Sequence, residues 1–253
     1  ESAFAGCTAL EKITLPTSLT SIGENAFAGC TSVKNLDIPK SVTWIGDRAF
    51  ADMENLQSLG LFAAAQVSAA KFPGCSALSQ IRISGYDSLY TVIGGVLFSA
   101  DRKTLVFYPV GLQNQNYTVP AQVEQIETGA FQGAKLRSVH TGSAAFVGMY
   151  AFADCEMLQS VTLGEGLAEL GYGAFQNCTA LESVQLPSSL TALDSMVFAG
   201  CTSLAKLVLP QTLVHISADA VEKTTTLFVE ENAPIIDTLE KMDFPYEIVQ
   251  EST

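Results

Sequence analysis

Positive charge is scarce in this chain: 13 Lys and Arg stand against 26 Asp and Glu, a formal net charge of −13. Nucleic acids and anionic membranes both recruit clustered basic residues, so that balance excludes them as partners. Charge of either sign is thin, at 15% of residues, against about 25% in an average domain. No run approaches the roughly 18 apolar residues of a spanning helix, so no membrane insertion is expected of this segment, and no basic-then-apolar leader stands at Glu1. Histidine occurs only as His140 and His215, neither in a Glu-x-x-His pair, and there is no nucleophile elbow or phosphate-binding glycine loop. The six cysteines make no Cys-x-x-Cys or Cys/His zinc spacing. No run of alternating carboxylates resembles a calcium loop. The expectation is a non-enzymatic protein with no cofactor and no metal. What the chain does have is apolar mass, 48% of residues, enough for a sizeable core.

That apolar mass is periodic. Marker phenylalanines stand at 4, 27, 50, 72, 131, 152, 175 and 198, with Val221 in the same slot of the last copy. Their steps are 23, 23, 22, 59, 21, 23, 23 and 23 residues. The first copy reads Ala3-Phe4-x-x-Cys7-x-x-Leu10-x-x-Ile13-x-Leu15-Pro16-x-x-Leu19-x-x-Ile22-Gly23, and later copies repeat its apolar positions, with the proline at 39, 120, 187 and 210. The alternation of Ile13 and Leu15 is that of a strand with one buried face. Proline ends it, because proline cannot donate to a ladder. A second apolar pair, Leu19 and Ile22 in the first copy, gives a second short strand, and a small-residue turn or 3-10 segment leads into the phenylalanine. One copy alone exposes its apolar side, whereas stacked copies bury a continuous core.

The 59-residue step holds 13 residues more than two copies of 23. The surplus reads as a β-hairpin begun at Gly94-Gly95, with arms Val96–Phe98 and Thr104–Pro109 around the polar turn Ala100–Lys103. The chain is read as one solenoid over 1–253, with the hairpin-bearing variant copy at about 86–116 and a capping unit at about 222–253. Its first copy begins inside the repeat, at the Ala-Phe corner, so the natural protein is expected to continue upstream. At the other end, Thr226–Val229 reads as a strand. Asn232 and Pro234 then open a helix whose apolar face is Ile235, Ile236, Leu239 and Met242, before a last strand at Phe244–Val249.

These residues resemble the BspA-like, or treponemal-type, leucine-rich repeat. The inserted Gly95-Val96-Leu97-Phe98, Thr104-Leu105-Val106 and Tyr108-Pro109, followed by Tyr117-Thr118-Val119-Pro120, is similar to a variant unit carried by that family. The resemblance implies a right-handed leucine-rich-repeat solenoid, mostly β, on a bacterial surface or that of certain parasitic protists. It implies a secreted or cell-surface location and adhesion to host matrix proteins or other microbes.

All six cysteines occupy one slot, three residues after the marker, where Met53 and Ala134 also occur. A slot shared with Met and Ala asks for a compact apolar filler, so buried free thiols are expected. The outward residues of the first strands form a small, polar, nearly uncharged strip. Binding hot spots favour Trp, Tyr and Arg, and these gather only where the insert meets the strip. The candidate contact residues are therefore Gln80, Arg82, Tyr86, Tyr90, Tyr108, Asn116, Thr118 and His140. The expected function is an adhesin-type module, a monomer contacting a host extracellular-matrix protein, another surface protein or a glycan. The alternative is a structural spacer presenting a binding region that lies upstream of Glu1.

Overall fold

The computed structural model describes residues 1–62, 65–83 and 89–249. The chain divides into two compact units, one made of Glu1–Gln113 with Thr128–Gln132 and the other of Asn114–Glu127 with Gly133–Thr253. Both are built from the same turn of chain. In the first unit the strands Asn35–Ile38, Ser58–Leu61 and Gln80–Ile83 pair in parallel, with Asn35 opposite Ser58 and Ser58 opposite Gln80. In the second, Asn116–Thr118, Ser138–His140, Ser160–Thr162 and Ser183–Gln185 pair in the same way. The second apolar pair of each copy makes a shorter strand, as in Ser21–Ile22 against Trp44–Ile45 and Gln125–Ile126 against Phe146–Val147.

The proline corner is a β-turn, since the carbonyls of Pro16, Pro39, Pro120, Pro187 and Pro210 each accept the amide three residues on. Proline suits that position because it removes only a donor, leaving the carbonyl free to close the turn. At the other corner each copy's amides reach the next: the Phe27 amide donates to the Ala49 carbonyl at 2.8 Å and that of Phe175 to Val197 at 2.9 Å. The backbone therefore finds its partners from copy to copy, which frees the side chains to fill the interior. The marker rings stack there. In the first unit the stack runs Phe4, Phe27, Phe50, Phe72, Phe107 at centroid spacings of 5.2–6.0 Å. In the second it runs Phe152, Phe175, Phe198 at 5.0 and 5.4 Å. Near Phe72 the expected 3-10 segment is present, at Ala69–Lys71. In the first copy residues 12–15 form no strand, whereas Ser21–Ile22 does.

Two readings need correction. The insert is a three-stranded meander rather than a single hairpin: Tyr90–Ile93, Val96–Ser99 and Thr104–Phe107 pair antiparallel in that order. Gly94 and Gly95, at φ 58° and 86°, form the turn between the first two strands and do not begin the pair. Two successive left-handed residues are what the tightest hairpin turn demands, and glycine adopts them without steric cost. The second turn is tied by Asp101, whose carboxylate accepts from the Ser99 hydroxyl at 2.6 Å and the Lys103 amide at 3.0 Å. Those bonds hold its carboxyl below the usual range, the Ser99 contact most of all. At the C-terminal end the helix spans Ile236–Lys241, preceded by Ile235 with no side-chain cap. Asn232 instead occupies a turn at φ 66°, so it does not cap the helix. Ile235 and Leu239 are buried as expected, and Tyr246–Val249 pairs in parallel with Thr226–Glu230.

The cysteines are all free; five are buried, and Cys7 is exposed, a correction to the expected burial, because residues 1–9 around it are exposed throughout. Their slot does more than fill space. The thiols of Cys30, Cys75, Cys178 and Cys201 donate to the carbonyls of Phe4, Phe50, Phe152 and Phe175 in the preceding copy, at 3.1–3.2 Å. Burial raises the Cys75 thiol to about 12, and the neighbouring Cys155 thiol raises Cys178 further. Such thiols carry almost no thiolate at neutral pH and react slowly. A thiol reagent is therefore expected to modify one group quickly in the native chain, Cys7, and six after denaturation. Two fast groups, or fewer than six in total, would contradict the burial of this slot.

Candidate functional site

In the first unit the strip is organised by one long side chain. Arg82 reaches across Gly60 to Asp37, which lies two strands away, and its Nε donates to the Ser58 hydroxyl at 3.1 Å. It can do so because Gly60, paired between them in the register, carries no side chain. A Cβ on Gly60 would stand 2.3 Å from the Asp37 carboxylate and 3.0 Å from the Phe62 ring. Ser58 and Gly60 are consequently covered rather than outward-facing, unlike Asn35 and Gln80 on either side. Lys12, Asn35, Asp37, Pro39 and Phe62 line an open recess beside this bridge.

The other candidates of this unit do not join that surface equally. Tyr90 is half-buried on the first meander strand, where its hydroxyl accepts the Val67 amide at 2.6 Å. Tyr108 is 1% exposed and stacks on Phe131 at 4.9 Å. Its ring belongs to the core, so it offers no face to a ligand, and the expectation of a contact there is corrected. Tyr86 lies outside the described residues.

In the second unit the structure brings Asn116, Thr118 and His140 together. Asn116 pairs with Ser138 and Thr118 with His140 on adjacent strands. The Ser138 hydroxyl donates to Asn116 Oδ1 at 2.7 Å, and His140 Nδ1 accepts the Gly142 amide at 2.9 Å. His140 thus ties the turn leaving its own strand. The ladder continues through Ser160, Thr162, Ser183 and Gln185 as small polar side chains.

One trio resembles catalytic machinery in composition and fails in geometry. His215 Nε2 stands 3.9 Å from Asp194 and 3.5 Å from the Ser217 hydroxyl. A nucleophile relay needs the carboxylate on one ring nitrogen and the hydroxyl on the other, each at hydrogen-bond distance. Here both face the same nitrogen at longer range, and all three side chains are solvated. Among the described residues no group of three or more His, Cys, Asp or Glu is placed to hold a metal ion.

No curated protein matches the sequence. Solved structures similar over nearly all of it include two bacterial proteins. A leucine rich cell surface protein from Faecalibacterium prausnitzii is 25% identical with a TM-score of 0.60, covering all of this chain. The chain spans 62% of that protein's length. The pneumococcal vaccine antigen PcpA is 17% identical with a TM-score of 0.58, over 93% of this chain and 72% of its own. The sequence itself matches the BspA type leucine rich repeat region in six copies, over residues 1–114 and 124–243. The chain belongs to that family, and its fold is the family's mostly-β leucine-rich-repeat solenoid.

Proposed function

We propose that this chain is a non-enzymatic interaction module of a bacterial surface protein, adhesin-type, with a host or microbial surface protein as its partner. The observation that carries the reading is the in-register display of polar side chains on parallel strands whose other face is the core. Such a face offers a rigid array of donors and acceptors and loses little entropy on binding. The contact residues proposed from the strip are Gln80, Arg82 and Tyr90 in the first unit and Asn116, Thr118 and His140 in the second. The similarity to a cell surface protein supports an extracellular setting. Among the described residues no helix is long and apolar enough to cross a membrane.

The test is binding of the folded chain to arrays of extracellular-matrix proteins and of glycans. The expected result is saturable binding to at least one protein. Replacing Arg82 by Ala, which also frees Asp37, is expected to weaken a contact on the first unit's strip at least tenfold, about 1.4 kcal/mol. Absence of binding across both arrays by folded protein would overturn the reading in favour of a spacer.

A further inference from the structure

Among the described residues the tyrosine that is exposed, Tyr172, lies outside the insert. In the second unit, three successive copies enter their marker phenylalanine through Met149-Tyr150, Tyr172-Gly173 and Ser195-Met196. Backbone bonds keep these turns in step: the Tyr150 amide donates to the Tyr172 carbonyl at 3.0 Å, and the Gly173 amide to Ser195 at 3.2 Å. A Cβ on Gly173 would lie 2.7 Å from the Tyr150 ring, so that ring rests over the space the glycine leaves. There it meets Tyr172 edge to face, with centroids 5.4 Å apart. The Tyr172 hydroxyl is turned to Met196 Sδ. Met149 is 51% exposed and Tyr172 is 38% exposed. The result is a surface ridge of two aromatic rings and two thioethers.

This ridge is held against backbone preference. Tyr150 and Met196 adopt φ 54° and 60°, the left-handed region that bulky residues avoid. Glycine fills the same position in the copy between them. Ser2, Asn25 and Arg48 take the same slot at φ 50°, 53° and 53°, so the left-handed turn belongs to the repeat, and in these copies it displays Tyr and Met.

Charge indicates what the ridge faces. The first unit holds nine acidic and eight basic residues, a net −1; the second holds seventeen and five, a net −12; together they make the chain's −13. Exposed Asp194 stands two residues before Met196, and exposed Asp219 takes the Met196 position one copy on. None of the second unit's basic residues falls in these turns. Tyrosine and methionine are enriched at the centres of protein interfaces, and an arginine guanidinium both stacks on tyrosine and donates to carboxylates.

We infer that the Met149, Tyr150, Tyr172 and Met196 ridge docks an arginine-bearing basic segment of a partner protein. The inference rests on the interaction-module reading and adds the partner's chemistry and the place of contact. A neutral glycan could stack on the same rings but would make no use of the exposed carboxylates Asp194 and Asp219 in the neighbouring turns.

The experiment is calorimetry of the full chain with short peptides of alternating Gly with Arg, Lys or Glu, at low ionic strength. The Arg peptide is expected to bind, the Lys peptide more weakly and the Glu peptide not at all. A double variant, Tyr150→Gly with Tyr172→Ala, is expected to lose at least tenfold in affinity for the Arg peptide. Glycine at 150 suits the local backbone, and a melting curve checks the fold. Tyr150→Phe with Tyr172→Phe keeps both ring faces and is expected to retain binding. Equal affinity in the double variant would show general charge attraction and overturn the inference, as would failure of the Arg peptide to bind. If a protein found on the arrays still binds the double variant undiminished, the module reading stands and the ridge is not its site. If neither arrays nor peptides yield binding, both fall.

Discussion

Phe175→Ala is expected to lower stability by about 3–5 kcal/mol, the range of large aromatic truncations in a packed core. Phe175 is 0% exposed and is stacked between Phe152, almost parallel at 3°, and Phe198 at 13°. Removing it opens a cavity with rings on both sides that cannot collapse, because the backbone of each copy is bonded to the next. Thr162→Ala, on the outward strip of the same unit, is expected to change stability by no more than about 0.5 kcal/mol. Phe4→Ala is a control within one slot: Phe4 is 48% exposed and stacks on one side only, so its loss is expected to cost less than that of Phe175. Equilibrium urea denaturation followed by circular dichroism measures all three. Equal midpoints for Phe175→Ala and Thr162→Ala would show the inside–outside assignment to be wrong.

The slots that this contrast depends on are readable because the repeat states them many times over. Each marker phenylalanine from 27 to 198 is buried, as is Val221 where the ring is replaced. The apolar alternation before each proline also faces inward, as in Leu36 and Ile38. What the repeat says once is harder to read. The strand Tyr90–Ile93 escapes a pattern-based reading because all four residues are half-buried and give no in–out alternation. Asn232 has the chemistry of a cap, but a cap depends on where the helix begins, and the turn at Asn232 delays it to Ile236. The thiol bonds in the cysteine slot are hidden by Met53 and Ala134, which fill the same space without a donor.

The candidate surface divides along similar lines. Outward positions follow from strand alternation, and Asn116, Thr118 and His140 do lie side by side. Counting tyrosines near the insert misplaces Tyr108, because the arm Thr104–Phe107 runs into the core and carries the next ring with it. The Arg82–Asp37 bridge depends on the strand register, since 45 residues separate the pair in sequence. The Tyr150–Tyr172 ridge lies in turns, where no periodicity marks exposure. Its one legible sign is Gly173, a glycine flanked in the stack by Tyr and Met at the same position.

Gly164→Ala is the second substitution with a large expected effect, and it separates two reasons for keeping glycine. Gly142 and Gly164 stand where other copies have the strand-ending proline, as Pro120 and Pro187 do on either side. A Cβ on Gly164 would meet the Gly142 carbonyl oxygen at 1.6 Å, which no rotation relieves because both atoms belong to backbone. The Gly164 amide is also fixed, donating at 3.0 Å to the hydroxyl of fully buried Thr141. One added methyl must push the two copies apart or break that bond, and the expected cost is about 3 kcal/mol or more, at the upper end of overpacking. Gly166, two residues on, has φ 97°, but a methyl group placed there would have no neighbouring atom within 4 Å. Gly166→Ala therefore meets only the left-handed backbone penalty of about 1–2 kcal/mol. Urea midpoints should fall in the order Gly164→Ala lowest, then Gly166→Ala, then the parent chain. A reversed order would mean that backbone conformation, and not the close approach of neighbouring copies, sets the demand for glycine at this corner.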